Sequence, residues 1–267
     1  LPDVPINLYG YKPQNWDGRF KGTAGSTARA QLRESRNIPS ILLMDAMGIE
    51  NYANTAINFG YKSLESRKNS IGYSIVLGGG EVTMLEHAQG YGVFANGGNL
   101  VEIDPIKKIT RIDPETGTET MVYEKTIEPK KVADERAIFL VNDILNYKKG
   151  GPGAYIDGRD FAGKTGTSES HKDNSFAGYS PDLVIIGWNG NNDNSPLSYG
   201  AWGVNVAKPW VINMAKDLAQ FFPEKTSFAL PGGIGYFNGD FSIQGIIPNQ
   251  SYFNKFVPKK EQDRLSQ

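Results

Sequence analysis

The stretch DFAGKTGTSESHKDNSFAGYSPDLVIIGWNG, residues 160–190, decides how the chain folds. Three β-rich runs lie in it, Phe161 to Thr167, Ser175 to Tyr179 and Leu183 to Asn189, with turns near HKDN and SPD. Short runs of this kind joined by polar turns predict an antiparallel meander. The first run also carries chemistry, because Lys164, Thr165, Gly166 and Thr167 set a cation, two hydroxyls and a glycine in four positions. On a strand at the rim of a cleft, Gly166 would let an extended substrate lie against the backbone, since no side chain keeps it away. Lys164 places positive charge where it favours an anionic substrate group and makes a neighbouring hydroxyl a better proton carrier. Thr165 and Thr167 add hydroxyl donors, and the Thr167 N–H could serve a developing oxyanion. A lysine, threonine and glycine triplet also arises by chance in plain turns, so its surroundings must decide.

Helical patterns flank the meander. Residues 134–151, DERAIFLVNDILNYKKGG, read as an amphipathic helix with acids in the first turn and lysines in the last. After the meander, KPWVINMAKDLAQFF has Pro209 suited to a first helical turn and an apolar stripe through Trp210, Met214 and Leu218. Further upstream, Thr83 and Glu86 form a capping box that opens a buried helix, with Met84, Leu85, Ala88, Tyr91 and Ala95 at helical spacing and a stop at Gly97 and Gly98. Residues 107–125 predict a surface hairpin around DPETG. In residues 25–48, Ser26 or Thr27 can cap a helix through Ala28 to Glu34; Pro39 argues for a break at SRN before a second helix ending at Gly48. Ser35, Arg36 and Asn37 then occupy a short connection. Residues 1–22, rich in Pro, Gly, Asn and aromatics, read as an ordered loop. The chain beyond Pro223 reads as loop-like, ending in a charged, mobile KKEQDRLSQ.

Composition narrows the functional classes. The 267 residues carry a formal net charge of -1, which gives no basic excess to draw the chain to nucleic acid or an anionic membrane surface. Two histidines and no cysteine exclude thiol catalysis and a disulfide framework and argue against a zinc site; no cofactor is expected. His87 reads as a packed or partly exposed residue of the capped helix and His171 as a solvated residue in a polar turn. If the chain transfers acyl groups, its base should be a lysine. No apolar run approaches the roughly 20 residues that span a bilayer.

Taken together, SRN at a helix junction and KTGT on a strand resemble the second and third motifs of the penicillin-binding proteins and serine β-lactamases. The stretches YKPQNWDGRFKG, ESRNIPSILLMDAMG, LGGGEVTMLEHAQGYGVFANGGN, AGKTGTSE and DNSFAGYSPDLVIIGWNGNND resemble the transpeptidase domain of class A penicillin-binding proteins. The likeness runs from about Asp3 to about Ile234, which sets a transpeptidase domain over residues 1–234, incomplete at its amino-terminal side, and leaves 235–267 as a loop-like carboxy-terminal extension. It implies an α/β (α+β) fold: an antiparallel five-stranded sheet flanked by helices, plus an all-helical subdomain. It also implies D,D-transpeptidation of peptidoglycan stem peptides and binding of β-lactam antibiotics, in a membrane-anchored, bifunctional parent acting outside the bacterial cytoplasmic membrane. By resemblance, Lys164 sits opposite Ser35, which relays a proton to the leaving group, and Asn37 faces the substrate's amide side chain. Thr165 and Thr167 bind the substrate carboxylate beside Gly166, and the Thr167 N–H forms half of the oxyanion hole.

One element of the family pattern is missing. Its first motif is a serine followed three residues later by a lysine, and no serine here meets that condition: Ser26 meets Arg29, Ser66 meets Asn69 and Ser168 meets His171. The expectation is therefore a carboxy-terminal portion whose nucleophile lies on an upstream segment of the same protein. The alternatives are a binding module of the same fold without catalysis, or a D,D-carboxypeptidase or β-lactamase.

Overall fold

The computed structural model describes residues 1–23, 27–222, 226–247 and 251–257. Helices α1 (Ala28–Arg33), α2 (Asn37–Met47), α3 (Ile49–Asn58) and α4 (Met84–Ala95) come first. The pair β1 (Asn99–Leu100) and β4 (Lys130–Lys131) brackets an exposed hairpin of β2 (Lys108–Ile112) and β3 (Glu119–Glu124). Helix α5 (Glu135–Leu145) leads into the central sheet, β5 (Ala162–Thr167), β6 (Asp173–Ser180) and β7 (Leu183–Gly190), an antiparallel meander in the order β5-β6-β7. Helix α6 (Ala207–Ala219) follows, and then the hairpin of β8 (Ile234–Phe237) and β9 (Asp240–Ile243) and a short helix, α7 (Ser251–Asn254). Mixed sheet and helix is the class that the motifs implied; of the five strands implied for the central sheet, the described residues supply three.

Strand alternation sends neighbouring side chains of the sheet into two different cores. Phe161, Phe176 and Ile185 pack against Ala207, Val211 and Ala215 of α6. Ala162 and Tyr179 face the other way, against Tyr91 and Phe94 of α4 and Leu145 of α5. Because both faces are covered, β6 is buried almost continuously from Phe176 to Ser180. Tyr179 is fully buried, and its hydroxyl donates to Asn142 Oδ1 at 2.9 Å while Asn142 Nδ2 donates to Phe94 O at 2.9 Å.

Three expectations need correction. The fully buried face of α6 on the sheet is Ala207, Val211 and Ala215, whereas Trp210 and Met214 are 36% and 45% exposed; of the expected stripe, Leu218 packs on the core and the Trp210 ring reaches the sheet backbone at Gly187. The small residues win because the helix lies close against Gly187, where an added Cβ would fall 2.4 Å from Val211 Cγ2. Burial of α4 concentrates at Gly90 and Val93, with Met84 and Leu85 exposed: Gly90 lies under the Tyr61 ring, where a Cβ would sit 2.4 Å from it. The chain past Pro223 is not simply loop. Ile234–Phe237 and Asp240–Ile243 pair across Asn238 and Gly239, both at positive φ, the asparagine-glycine turn that strand twist favours. Arg29 holds this hairpin with Nε donating to Asp240 Oδ2 at 2.7 Å and Nη2 to Asp143 Oδ2 at 2.6 Å. Phe253 and Phe256 pack on a cluster of Ile6, Leu8, Ile38, Ile41 and Leu42. Ser26, Pro223 and the residues from 258 onward, including KKEQDRLSQ, lie outside the described residues.

Replacing Tyr179 by Phe keeps the packing but leaves the buried Asn142 carbonyl without its donor. Tyr179→Phe is expected to lower unfolding stability by about 1–3 kcal/mol, read from the midpoint shift of urea denaturation; an unchanged midpoint would show that the bond contributes nothing.

Candidate active site

Helix α1 begins at Thr27, whose hydroxyl accepts from Ala30 N at 3.1 Å. It ends as a left-handed turn: Ser35 N–H donates to Leu32 O at 3.2 Å, Arg36 N–H to Gln31 O at 3.0 Å, and Ser35 takes φ 56°. Glycine is the usual occupant of such a position, and a residue bearing a side chain there costs roughly 1 kcal/mol or more. The next residue with helical geometry is Asn37, so Ser35 is pinned between one helix end and the next helix start.

Opposite lies β5, one edge of the central sheet. Ser168 N–H donates to Asp173 O at 3.1 Å, which by ladder alternation puts Gly166 and Lys164 in bonded pairs with Ser175 and Ala177. Thr165 and Thr167 consequently turn their N–H and C=O away from β6. Near Phe161 that edge is capped by Tyr147 N–H, which donates to Phe161 O at 3.1 Å. Toward Thr167, the Thr167 N–H points outward from an edge that meets no backbone partner among the described residues, the geometry by which an extended peptide adds as a further strand.

Lys164 leaves the sheet on the Tyr179 side and reaches the helix junction. Its Nζ donates to Ser35 Oγ and, at 2.9 Å, to Thr165 O. Burial lowers its pKa from the ordinary 10.5 to about 8. The structure thus joins a half-buried ammonium, its pKa lowered to about 8, to a hydroxyl held in fixed geometry. Asn37 turns its Nδ2 to Gln14 O at 2.9 Å, and among the described residues its Oδ1 and second amide hydrogen meet no further partner. Thr165 and Thr167 project to the α6 face, where Gly203 N–H donates to Thr167 Oγ1 at 3.3 Å.

Several contributors to this geometry were not singled out from the sequence. Gly203 presses on the sheet: a Cβ there would fall 2.6 Å from both Gly166 O and Ser175 O. The signal was present as a glycine among Trp202, Val204 and Asn205, yet nothing local reveals a contact 36 residues distant. Asn15 caps α2 from outside that helix, its Oδ1 accepting from Asn37 N at 2.9 Å and from Ile38 N at 3.2 Å. His171 is not a solvated turn residue, because its ring meets Trp202 edge-on with centroids 4.4 Å apart. Its Nε2 is buried without a hydrogen-bond partner among the described residues. His87 is packed as expected, its Nδ1 3.1 Å from the Tyr61 hydroxyl and its pKa pushed down by burial. Glu86 completes the capping box and also accepts from Ser63 N at 2.7 Å. Among the described residues no group of three or more His, Asp or Glu could hold a metal ion, and no helix is long and apolar enough to cross a membrane.

The family model for the penicillin binding protein transpeptidase domain matches residues 2–210. The chain belongs to this family. It is similar to penicillin-binding protein 1A of Neisseria cinerea, 31% identical over 267 residues that cover 95% of the chain and 31% of that protein. Penicillin-binding protein 1A of Rickettsia conorii is 28% identical, over 92% of the chain and 33% of the relative. The chain therefore spans about a third of the length of these curated relatives. In fold it matches the crystal structure of penicillin-binding protein 1A from Haemophilus influenzae with a TM-score of 0.77 at 24% identity, over 94% of this chain and 45% of that one. The PonA1 protein of Mycobacterium tuberculosis in complex with penicillin V matches with a TM-score of 0.67 at 21% identity, over 91% of this chain and 68% of that one.

The burial of Lys164 makes a pH prediction. Its folded pKa lies below the unfolded one, so the cost of burying the charge is carried in full below about pH 8 and is relieved as pH rises toward 10.5. Differential amine labelling read by mass spectrometry should find Lys164 titrating near pH 8, well below solvent-exposed lysines. A value above 10 would contradict the site described.

Proposed function

We propose that this chain is the carboxy-terminal portion, residues 1–234, of a peptidoglycan D,D-transpeptidase domain, followed by an extension over 235–267. The observation that carries the reading is the contact of Lys164 Nζ with Ser35 Oγ, made by the two motifs of a family whose reaction is acyl transfer. In this reading the nucleophilic serine lies on an upstream segment of the same protein and attacks the carbonyl of the penultimate D-alanine of a stem peptide. The terminal D-alanine leaves as an amine, and the proton that it needs passes through Ser35, whose hydroxyl Lys164 orients and polarises. The acyl group then moves to an amine of a neighbouring stem, which regenerates the serine. A β-lactam acylates the same serine and stays bound.

The remaining roles follow from position. The open edge of β5 takes the extended peptide as an added strand, Gly166 keeps that edge free of side-chain bulk, and Thr167 N–H donates to the oxyanion. Such a donor is worth about 3–4 kcal/mol of transition-state stabilisation. Thr165 and Thr167 hold the substrate carboxylate through their hydroxyls, with Gly203 fixing the orientation of the Thr167 hydroxyl. Asn37 presents its free amide atoms to the substrate's backbone or side-chain amide. The parent acts on the outer face of the bacterial cytoplasmic membrane, where its polymeric substrate is.

Intact-mass measurement under denaturing conditions tests this reading. The 267-residue chain incubated with benzylpenicillin should gain nothing, while the protein that includes the preceding segment should gain one penicillin mass, located on that segment. In that longer protein, Ser35→Ala or Lys164→Ala should slow acylation by about 10²–10⁴-fold, the usual worth of positioned proton transfer. Acylation at an unchanged rate in both variants would remove the assigned roles. Rapid hydrolysis of the adduct would favour a carboxypeptidase or β-lactamase, and no adduct at all a binding module.

A further inference from the structure

The loop of residues 3–22 contributes more than a surface covering. Asp3 is fully buried and Asn15 and Arg36 are 4% and 2% exposed, an unusual depth for polar groups. Asp3 Oδ2 accepts from Arg36 Nε at 2.9 Å and from Lys21 N at 3.2 Å, and Asp3 Oδ1 accepts from Asn15 Nδ2 at 2.6 Å. Arg36 also donates through Nη1 to Asp17 Oδ2 at 2.9 Å and through Nη2 to Arg19 O. Asn15 Nδ2 donates to Arg19 O at 2.8 Å. The carboxylate, the guanidinium and the amide are thereby engaged on several sides, as buried charge requires.

The network converges on Arg36 and on the first residues of α2. Arg36 follows Ser35 directly and is the N-cap residue of α2, but its side chain makes no capping bond. Asn15 supplies that cap from the loop, fixing the N–H groups of Asn37 and Ile38. Trp16, next to Asn15, donates from Nε1 to Glu34 O at 3.3 Å, immediately before Ser35. The peptide on each side of Ser35 is thus tied to the same short loop, while Ser35 itself holds a left-handed conformation that is sterically costly for a residue bearing a side chain.

We infer that Asp3, Asn15 and Arg36 form a clamp of positioning residues that holds Ser35 within reach of Lys164, so that residues 3–22 are a functional part of the site. The inference rests on the proposed transpeptidase reading. None of the three touches the reacting atoms. Their effect passes through the backbone at Ser35 and Asn37, where a displacement of about 1 Å can cost a rate about 10²-fold.

The test uses the protein that includes the preceding segment, with Asn15→Ala, and with Asn15→Ser as a variant whose shorter side chain still offers a capping oxygen. Acylation by a fluorescent penicillin is followed at temperatures well below each variant's unfolding midpoint, so that only folded protein reports. Asn15→Ala is expected to slow the acylation step at saturating penicillin tenfold or more, leaving the half-saturating concentration nearly unchanged, with Asn15→Ser intermediate. Wild-type acylation in folded Asn15→Ala would overturn the clamp. If Asn15→Ala fails to fold, Asn15→Ser and Asp17→Ala decide on the same criterion, a twofold or greater slowing supporting the clamp and wild-type rates in both overturning it. A second readout does not depend on the transpeptidase reading: the titration of Lys164 by amine labelling in the 267-residue chain. Loosening Ser35 admits water to the lysine, so Asn15→Ser should raise its midpoint toward that of exposed lysines, whereas an unchanged midpoint counts against the clamp. Should the wild-type protein take no penicillin, the functional reading falls and this titration alone decides the clamp.

Discussion

The buried pair of Arg36 and Asp3 constrains much of what surrounds it. A guanidinium and a carboxylate removed from water are tolerable only if their remaining donors and acceptors find partners, and here those partners are Asn15, Asp17, Arg19 and Lys21. Each requirement drags a piece of backbone into place. The amino-terminal loop must fold over the helix junction, α2 must start at Asn37, and α1 must end on a left-handed Ser35. Replacing such a pair with well-packed apolar residues often leaves stability unchanged, so its value here lies in geometry: alternative arrangements of the loop would strand a charge.

The sheet answers a different constraint, apolar burial on two faces, and meets the clamp at one residue. Lys164 departs from β5 on the face that holds Tyr179, so the same alternation that divides the two cores also aims the ammonium at the helix junction. Loop residue Gly203 covers the opposite face at Thr165 and Thr167. Among the described residues, what stays uncovered is one length of strand edge, with the Lys164 and Ser35 pair on one side and threonine hydroxyls on the other.

Much of this was legible in the sequence, for reasons that are local. The meander, the caps at Thr27 and Thr83, the break before Pro39 and the hairpin around DPETG all follow from signals within a few residues of the element they specify. Ser35, Asn37, Lys164, Thr165, Gly166 and Thr167 were singled out as motif residues. The failures share a cause, which is that they depend on partners far along the chain. Which face of α6 is buried was decided by Gly187, the depth of α4 by Tyr61, and the roles of Asn15, Arg36 and Gly203 by contacts 17 to 36 residues away or more. The hairpin over β8 and β9 is the exception: its Asn238 and Gly239 turn was a local signal that went unread.

The packing of Phe253 and Phe256 on Ile6, Leu8, Ile38, Ile41 and Leu42 has a bearing on how the chain is made. A contact between residues far apart in sequence can form only once the later residue has been made, and synthesis proceeds from the amino terminus. The meander of β5, β6 and β7 can pair as soon as it emerges, since its strands are sequence neighbours. Helix α2, which begins beside Ser35, must instead wait with part of its apolar surface open to water until Phe253 and Phe256 have been made. The side of the cleft that carries Ser35 is therefore completed after the meander that carries Lys164, and until then its apolar surface stays accessible to chaperones and proteases.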